Sequence, residues 1–105
     1  MSPQIKARKG RFGAGGTAPD LSILTYVAEV TAGVASTDFT ASASDTVDGN
    51  ITATIDWTSD LDGSVGTGGS PSITLTTVGT HVITVTATAP TGGQTTVKTL
   101  TVEAV

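Results

Sequence analysis

From Ile83 to Ala89 the chain reads I-T-V-T-A-T-A, an apolar residue at every odd position with a threonine between each pair. A β-strand sends successive side chains to opposite faces, so this spacing makes a ribbon with one apolar and one polar side. A helix would scatter the same residues around its axis. The two-residue period returns along much of the sequence. Thr is β-branched and suits the solvated side of a pleated sheet, and it occurs 22 times in 105 residues. Gly occurs 13 times, as a chain of many tight turns requires. No run of Leu, Glu, Lys and Ala at helical spacing competes with this pattern.

The remaining strands follow from the same reading. LSILTYVAEV (21–30) carries Leu21, Ile23, Val27 and Val30, and breaks between a first strand and a short continuation before Thr31-Ala32-Gly33 turns the chain. TDFTASAS (37–44) points Phe39, Ala41 and Ala43 inward. DTVDGN (45–50) contains Asp48-Gly49, a strong hairpin signal. ITATIDWTS (51–59) alternates without a slip through Ile51, Ala53, Ile55 and Trp57. DLDGSVGTGGSP (60–71) is a Gly-rich crossing with a short strand near Val65, and SITLTT (72–77) is a strand with Ile73 and Leu75 inward. PTGG (90–93) closes a final hairpin whose second strand sets Leu100, Val102 and Ala104 on one side, with a bulge predicted at Val97-Lys98. About seven short strands, with turn signals every eight to twelve residues, predict an all-β two-sheet sandwich. Its core is Ile, Val, Leu and Ala around Phe39 and Trp57.

Charge divides the chain into two parts. Residues 1–20 hold Lys6, Arg8, Lys9 and Arg11 against Asp20, a net +3, while residues 21–105 hold Lys98 against eight acidic residues, a net −7; together they make the overall −4. The first part is rich in Gly and Pro, with little apolar beyond Ile5 and Phe12. It cannot bury enough surface to fold alone. We read residues 1–20 as an extended arm and 21–105 as the folded domain. The absence of Cys favours a reducing compartment and removes thiol chemistry. No export signal and no apolar run long enough for a membrane are expected.

The segments FTASASDTVDGNITATIDWTS and GTHVITVTATAPTGGQTTVKTLTV resemble the bacterial and phage immunoglobulin-like domains, near the polycystic-kidney-disease and bacterial Ig-like groups. The resemblance covers about residues 21–105. It implies an immunoglobulin-like sandwich in which Trp57 is the buried tryptophan of the third strand, here without its usual disulfide. VGTHVITV (78–85) resembles the corner at which a Tyr bonds back to the main chain; His81 stands at that position, so the bond would be weaker or made through a ring nitrogen. Such domains serve many functions. Single ones without an export signal are common in tailed phages, made in the host cytoplasm and carried away on the virion. The resemblance therefore implies a virion accessory protein, foremost a capsid decoration protein docked on the major capsid protein. Two alternatives stand beside it: a carbohydrate- or cell-surface-binding module of a secreted bacterial protein, and a tail-associated spacer.

One histidine, no cysteine and no GxSxG, HExxH or P-loop pattern argue for a non-enzyme, with His81 a structural corner residue. Asp45, Asp48, Asn50, Asp60 and Asp62 fall in two loops that would lie near one end of the sandwich; their spacing matches no EF-hand, and turn chemistry explains them, so no metal or other cofactor is expected. Sugar recognition favours exposed aromatics; Phe39 and Trp57 are expected in the core and Tyr26 half exposed, leaving weak contact of the Thr-lined faces with host-surface glycans. Asn50-Ile51-Thr52 is a glycosylation sequon without meaning in a cytoplasmic product. In the arm, Lys6, Arg8, Lys9 and Arg11 would pair with carboxylates of a partner protein while Ile5 and Phe12 fill apolar notches. Nucleic acid is the poorer partner, since a −7 body is repelled by phosphate.

Overall fold

The structure, a computed structural model, describes residues 18–105. The arm residues Ile5, Lys6, Arg8, Lys9, Arg11 and Phe12 lie outside the described residues. Eight strands among the described residues form two sheets, with no helix longer than one 3-10 turn. The smaller sheet has the order β1-β3-β4, from β1 (Asp20–Thr25), β3 (Thr40–Asp45) and β4 (Gly49–Asn50). The larger has the order β2-β8-β7-β5-β6, from β2 (Glu29–Val30), β8 (Thr95–Ala104), β7 (Gly79–Thr88), β5 (Asp56–Ser59) and β6 (Gly63–Thr67).

Alternation builds the core between the sheets. Ile83, Val85 and Ala87 of β7 and Leu100, Val102 and Ala104 of β8 point inward, while their threonine neighbours face out. Ala41 and Ala43 come from β3, with Leu21 from β1. Phe39 and Trp57 are fully buried and meet edge to face, ring centroids 6.2 Å apart at 69°. Such a pair adds about 0.5–1.5 kcal/mol beyond its buried area. The indole N–H donates to the Gly68 carbonyl at 2.8 Å, so the ring's polar edge is satisfied inside.

The chain crosses between sheets three times, from β1 to β2, back from β2 to β3, and from β4 to β5. Tyr26–Ala28 carries it from β1 to β2, which pairs in parallel with β8, Glu29 opposite Glu103. The last crossing, from β4 to β5, corrects the expected strand over 51–59. Thr52–Thr54 is a 3-10 turn, with Thr54 N–H donating to Ile51 C=O (2.9 Å) and Ile55 N–H to Thr52 C=O (3.2 Å). Ile51, Ile55 and Trp57 are buried as expected, but Ala53 is thrown outward. Threonine hydroxyls replace the strand ladder there. Thr52 Oγ1 accepts from Ala43 N–H at 3.0 Å, and Thr54 Oγ1 accepts from Thr88 N–H at 3.1 Å.

Two further expectations fail. Ser72–Thr77 buries Ile73 and Leu75 but forms no strand; its ladder is the single bridge Ser36↔Ile73, with Gly33 N–H reaching Leu75 C=O at 2.9 Å. Gly33, at φ +81°, bends the partner segment away before a ladder develops. The β7–β8 ladder runs without a bulge from Gly79↔Ala104 to Thr88↔Thr95. Val97 keeps the outward phase of Thr99 and Thr101 and is half exposed, an apolar residue left on the outer face by a strand whose register does not shift. Register shifts fall instead between Ile23 and Thr25 and between Trp57 and Thr58.

Candidate functional site

Three places bring polar chemistry together. The first surrounds His81, which is fully buried on β7. Its Nε2 lies 2.6 Å from the Thr77 carbonyl, which can only accept, so Nε2 carries the ring proton. Nδ1, 2.6 Å from Ser59 Oγ, then accepts the serine hydroxyl proton. Ser59 Oγ in turn accepts the amides of Leu61 (3.1 Å) and Asp62 (3.2 Å). Asp62 Oδ2 stands 3.9 Å from the same Nδ1.

A serine, a histidine and an aspartate thus meet, an arrangement the sequence did not reveal because 22 residues separate Ser59 from His81. Its geometry is not that of a relay. In a catalytic triad the acid and the nucleophile hold opposite ring nitrogens; here both face Nδ1, and Nε2 is capped by main chain. Ser59 is buried and its lone pairs are taken by two amides. The cluster is a clasp tying the β5–β6 turn to the start of β7. Asp62 completes it from outside: Oδ1 accepts the Thr77 hydroxyl at 2.6 Å and Oδ2 the Thr76 amide at 2.7 Å. The Thr77 hydroxyl, with help from the Thr76 and Thr77 donors and against partial desolvation, holds the Asp62 carboxyl below its ordinary value.

The second place is the opposite end of β7. Asp45 Oδ2 accepts the amides of Val47 and Asp48, at 3.0 and 3.1 Å, across the β3–β4 turn. Asp48 grips the β7–β8 turn, taking the Thr91 hydroxyl at 2.6 Å and its amide at 2.9 Å. These Thr91 donors lower the Asp48 carboxyl, the hydroxyl most. The expectation that the two acidic loops share one end is therefore corrected. Asp60 bonds the Val82 amide and Asp62 bonds Thr76 and Thr77, whereas Asp48 bonds Thr91; the ten residues of β7, roughly 30 Å of strand, lie between. Among the described residues no three His, Cys, Asp or Glu side chains converge as metal ligands.

The third place is the outer face of the smaller sheet, where small hydroxyl side chains leave a shallow groove of about 420 Å³ lined by Asp20, Ser22, Ser42, Ser44 and Asn50. Asn50 of the sequon spends its side-chain oxygen on the Thr52 amide at 2.9 Å. Tyr26 is 56% exposed, while Phe39 and Trp57 offer no platform. The groove begins where the described chain begins: Pro19 is buried, its carbonyl accepting the Thr96 hydroxyl, and Asp20 pairs with Ser44. The described chain thus begins at the end that carries Asp45, Asp48 and Thr91.

Compared with known proteins, the chain matches no family model, no curated protein and no solved structure.

Proposed function

We propose that the chain is a non-enzymatic accessory protein of a virion, a decoration protein of a tailed-phage capsid whose arm docks on the major capsid protein and whose immunoglobulin-like sandwich stands off the particle. The observation that carries this reading is the separation of charge along the sequence. Four of the five basic residues lie between positions 6 and 11, while residues 18–105 hold all nine acidic residues and one lysine. The described residues begin at one end of the sandwich, where the Pro19 carbonyl accepts the Thr96 hydroxyl. An acidic body repels other acidic surfaces, and a cationic segment ahead of it would pair with a carboxylate-rich groove.

The immunoglobulin-like reading draws support from two facing sheets, a buried Trp57 on β5, and a His81 ring bonded back to the Thr77 carbonyl. The non-enzymatic reading draws support from the spent ring nitrogens of His81. One observation favours a second reading, contact with host-surface glycans: the hydroxyl-lined groove on the smaller sheet. It fits a polar sugar edge and would serve as a secondary activity of a displayed domain.

The test is co-sedimentation with undecorated capsids of the full-length protein and of a protein lacking residues 1–17, which keeps Pro19 in place. The full-length protein should sediment, the truncated one should stay in solution, and moderate salt should weaken binding. Equal sedimentation of the two proteins removes the arm from the mechanism. Failure of both, with retention on tail proteins, assigns the domain to the tail instead.

A further inference from the structure

At the end of the sandwich away from Pro19, β2 and the loop after it leave a groove of about 300 Å³. Its apolar lining is Val27, Val30 and Val34. Val27 and Val30 are partly buried against the core, whereas Val34 is 56% exposed. Two exposed acidic residues, Glu29 and Asp38, stand among these valines. The Asp38 carboxylate receives the Ser36 hydroxyl at 3.5 Å, and no ion pair reaches either residue among the described residues. Glu29 also lies opposite Glu103 in the β2–β8 pair, on strands about 4.8 Å apart, and like charges so placed repel. Glu103 takes the Thr80 hydroxyl at 2.6 Å, a neutral donor that leaves the charge in place. Lys98, the one basic residue of 18–105, is five residues back along β8, roughly 17 Å away. The groove thus combines apolar surface with negative charge that no described residue neutralises.

We propose that residues 5–9 of the same chain occupy this groove, with Ile5 against the valines and Lys6 and Arg8 paired with Glu29 and Asp38. The groove calls for cations beside an aliphatic side chain, and the sequence Ile5-Lys6-Ala7-Arg8-Lys9 supplies them. Chain length selects this part of the arm. The described chain starts beside Thr96, at Pro19, and the six residues of β1 carry it about 20 Å toward the groove. Thirteen residues separate Lys6 from Pro19, a span of at most about 45 Å, which allows the chain to turn back and arrive. Phe12 is seven residues from Pro19, at most about 25 Å, too short once a reversal is included. Gly13, Gly15 and Gly16 lie where that reversal falls. Tethering sets the effective concentration near the millimolar range, so a contact of only millimolar affinity fills about half of the grooves. The inference goes beyond the capsid reading and does not depend on it. A docking partner would have to displace residues 5–9 before capturing the arm.

The experiment compares amide spectra of the ¹⁵N-labelled full-length protein and of a protein lacking residues 1–17, at low salt. The Glu29, Val30 and Val34 amides should differ between the two, while those of β6, on the opposite edge of the larger sheet, coincide. Raising the salt to about 1 M, where the screening length is about 3 Å, should bring the full-length amides to the truncated positions. With Glu29→Gln and Asp38→Asn in both proteins, the difference should vanish at low salt. The proposal is overturned if the groove amides coincide from the start, if their difference survives salt, or if it survives the two substitutions. It is equally overturned if the β6 amides differ as much, or if the difference fades on dilution, which would assign the occupant to a second copy. The salt titration of the parent decides the matter even if the substituted protein does not fold. Capsid sedimentation is not read here, so this proposal and the capsid reading fail separately.

Discussion

Replacing His81 by Leu tests whether the clasp holds the domain together. Leucine is close to imidazole in volume, so the change falls mainly on hydrogen bonds. The buried Ser59 hydroxyl loses its acceptor, at a cost of about 1–3 kcal/mol, and the partly buried Thr77 carbonyl loses its donor, at about 0.5–1.5 kcal/mol. We expect a loss of roughly 2–4 kcal/mol in all, a large share of the 5–15 kcal/mol typical of a domain. Urea unfolding can be followed by the fluorescence of Trp57, the protein's one tryptophan and fully buried. A double-mutant cycle with Ser59→Ala separates the pair from the other bonds of Ser59, which also caps Leu61 and Asp62. The two substitutions should be non-additive by about 1–2 kcal/mol. Additivity within about 0.5 kcal/mol, or a His81→Leu domain as stable as its parent, would refute the tautomer and the hydrogen-bond assignment on which the clasp rests.

Acid should weaken the fold through Asp48 and Asp62. Their carboxyls sit below the ordinary value of 3.8 in the folded state, so the unfolded chain takes up protons first. Their contribution is therefore present above that value and fades as pH falls through the lowered folded ones. Urea midpoints measured from pH 6 downward should fall in that window, and Asp62→Asn should flatten the fall; an unchanged profile would remove Asp62 from it. Gly69→Ala should lower the melting temperature, because a Cβ there would stand 2.5 Å from Thr52 Cγ2 and 2.8 Å from the Ala41 carbonyl oxygen. A cost of about 1–3 kcal/mol is expected from such overpacking, read by calorimetry. Ala53→Lys should be nearly neutral, within about 0.5 kcal/mol, since Ala53 faces out of the 3-10 turn; collapse of the variant would restore the inward reading of that residue.

The long hairpin was legible because β7 and β8 are neighbours in sequence and β7 alternates without interruption; in β8 the apolar Val97 falls on the outward face, which suggested a bulge that the continuous ladder does not make. The 3-10 turn at Thr52–Thr54 was not, because its alternation is intact in sequence and is overridden by Thr52 and Thr54 bonding Ala43 and Thr88, partners 9 and 34 residues away. Burial of Ile73 and Leu75 could be read from their spacing; the missing ladder depends on the bend at a facing glycine. The error over the acidic loops was avoidable. One traverse of the sandwich, from Asn50 to Ser59, separates the two turns, and a chain that crosses once between turns must place them at opposite ends. The Ser59–His81–Asp62 contact carries no local signal at all, since it follows from which strands are neighbours. For the arm, composition and charge were readable, and its partner is a matter for the sedimentation experiment.

The parallel pairing of β2 with β8 also sets an order of events during synthesis. Glu29 waits for Glu103, so the larger sheet cannot close until nearly the whole domain has left the ribosome. The β7–β8 hairpin is local and can zip early, but β2 must close a loop of more than seventy residues, and contacts of such separation are slow to form. A nascent chain therefore leaves β2 unpaired, and the inner faces of its ribbons uncovered, until the end, in the interval when aggregation competes with folding. Truncation within β8 should yield an aggregating product rather than a smaller domain. Thr and Asp along the outward faces keep those ribbons soluble while they wait.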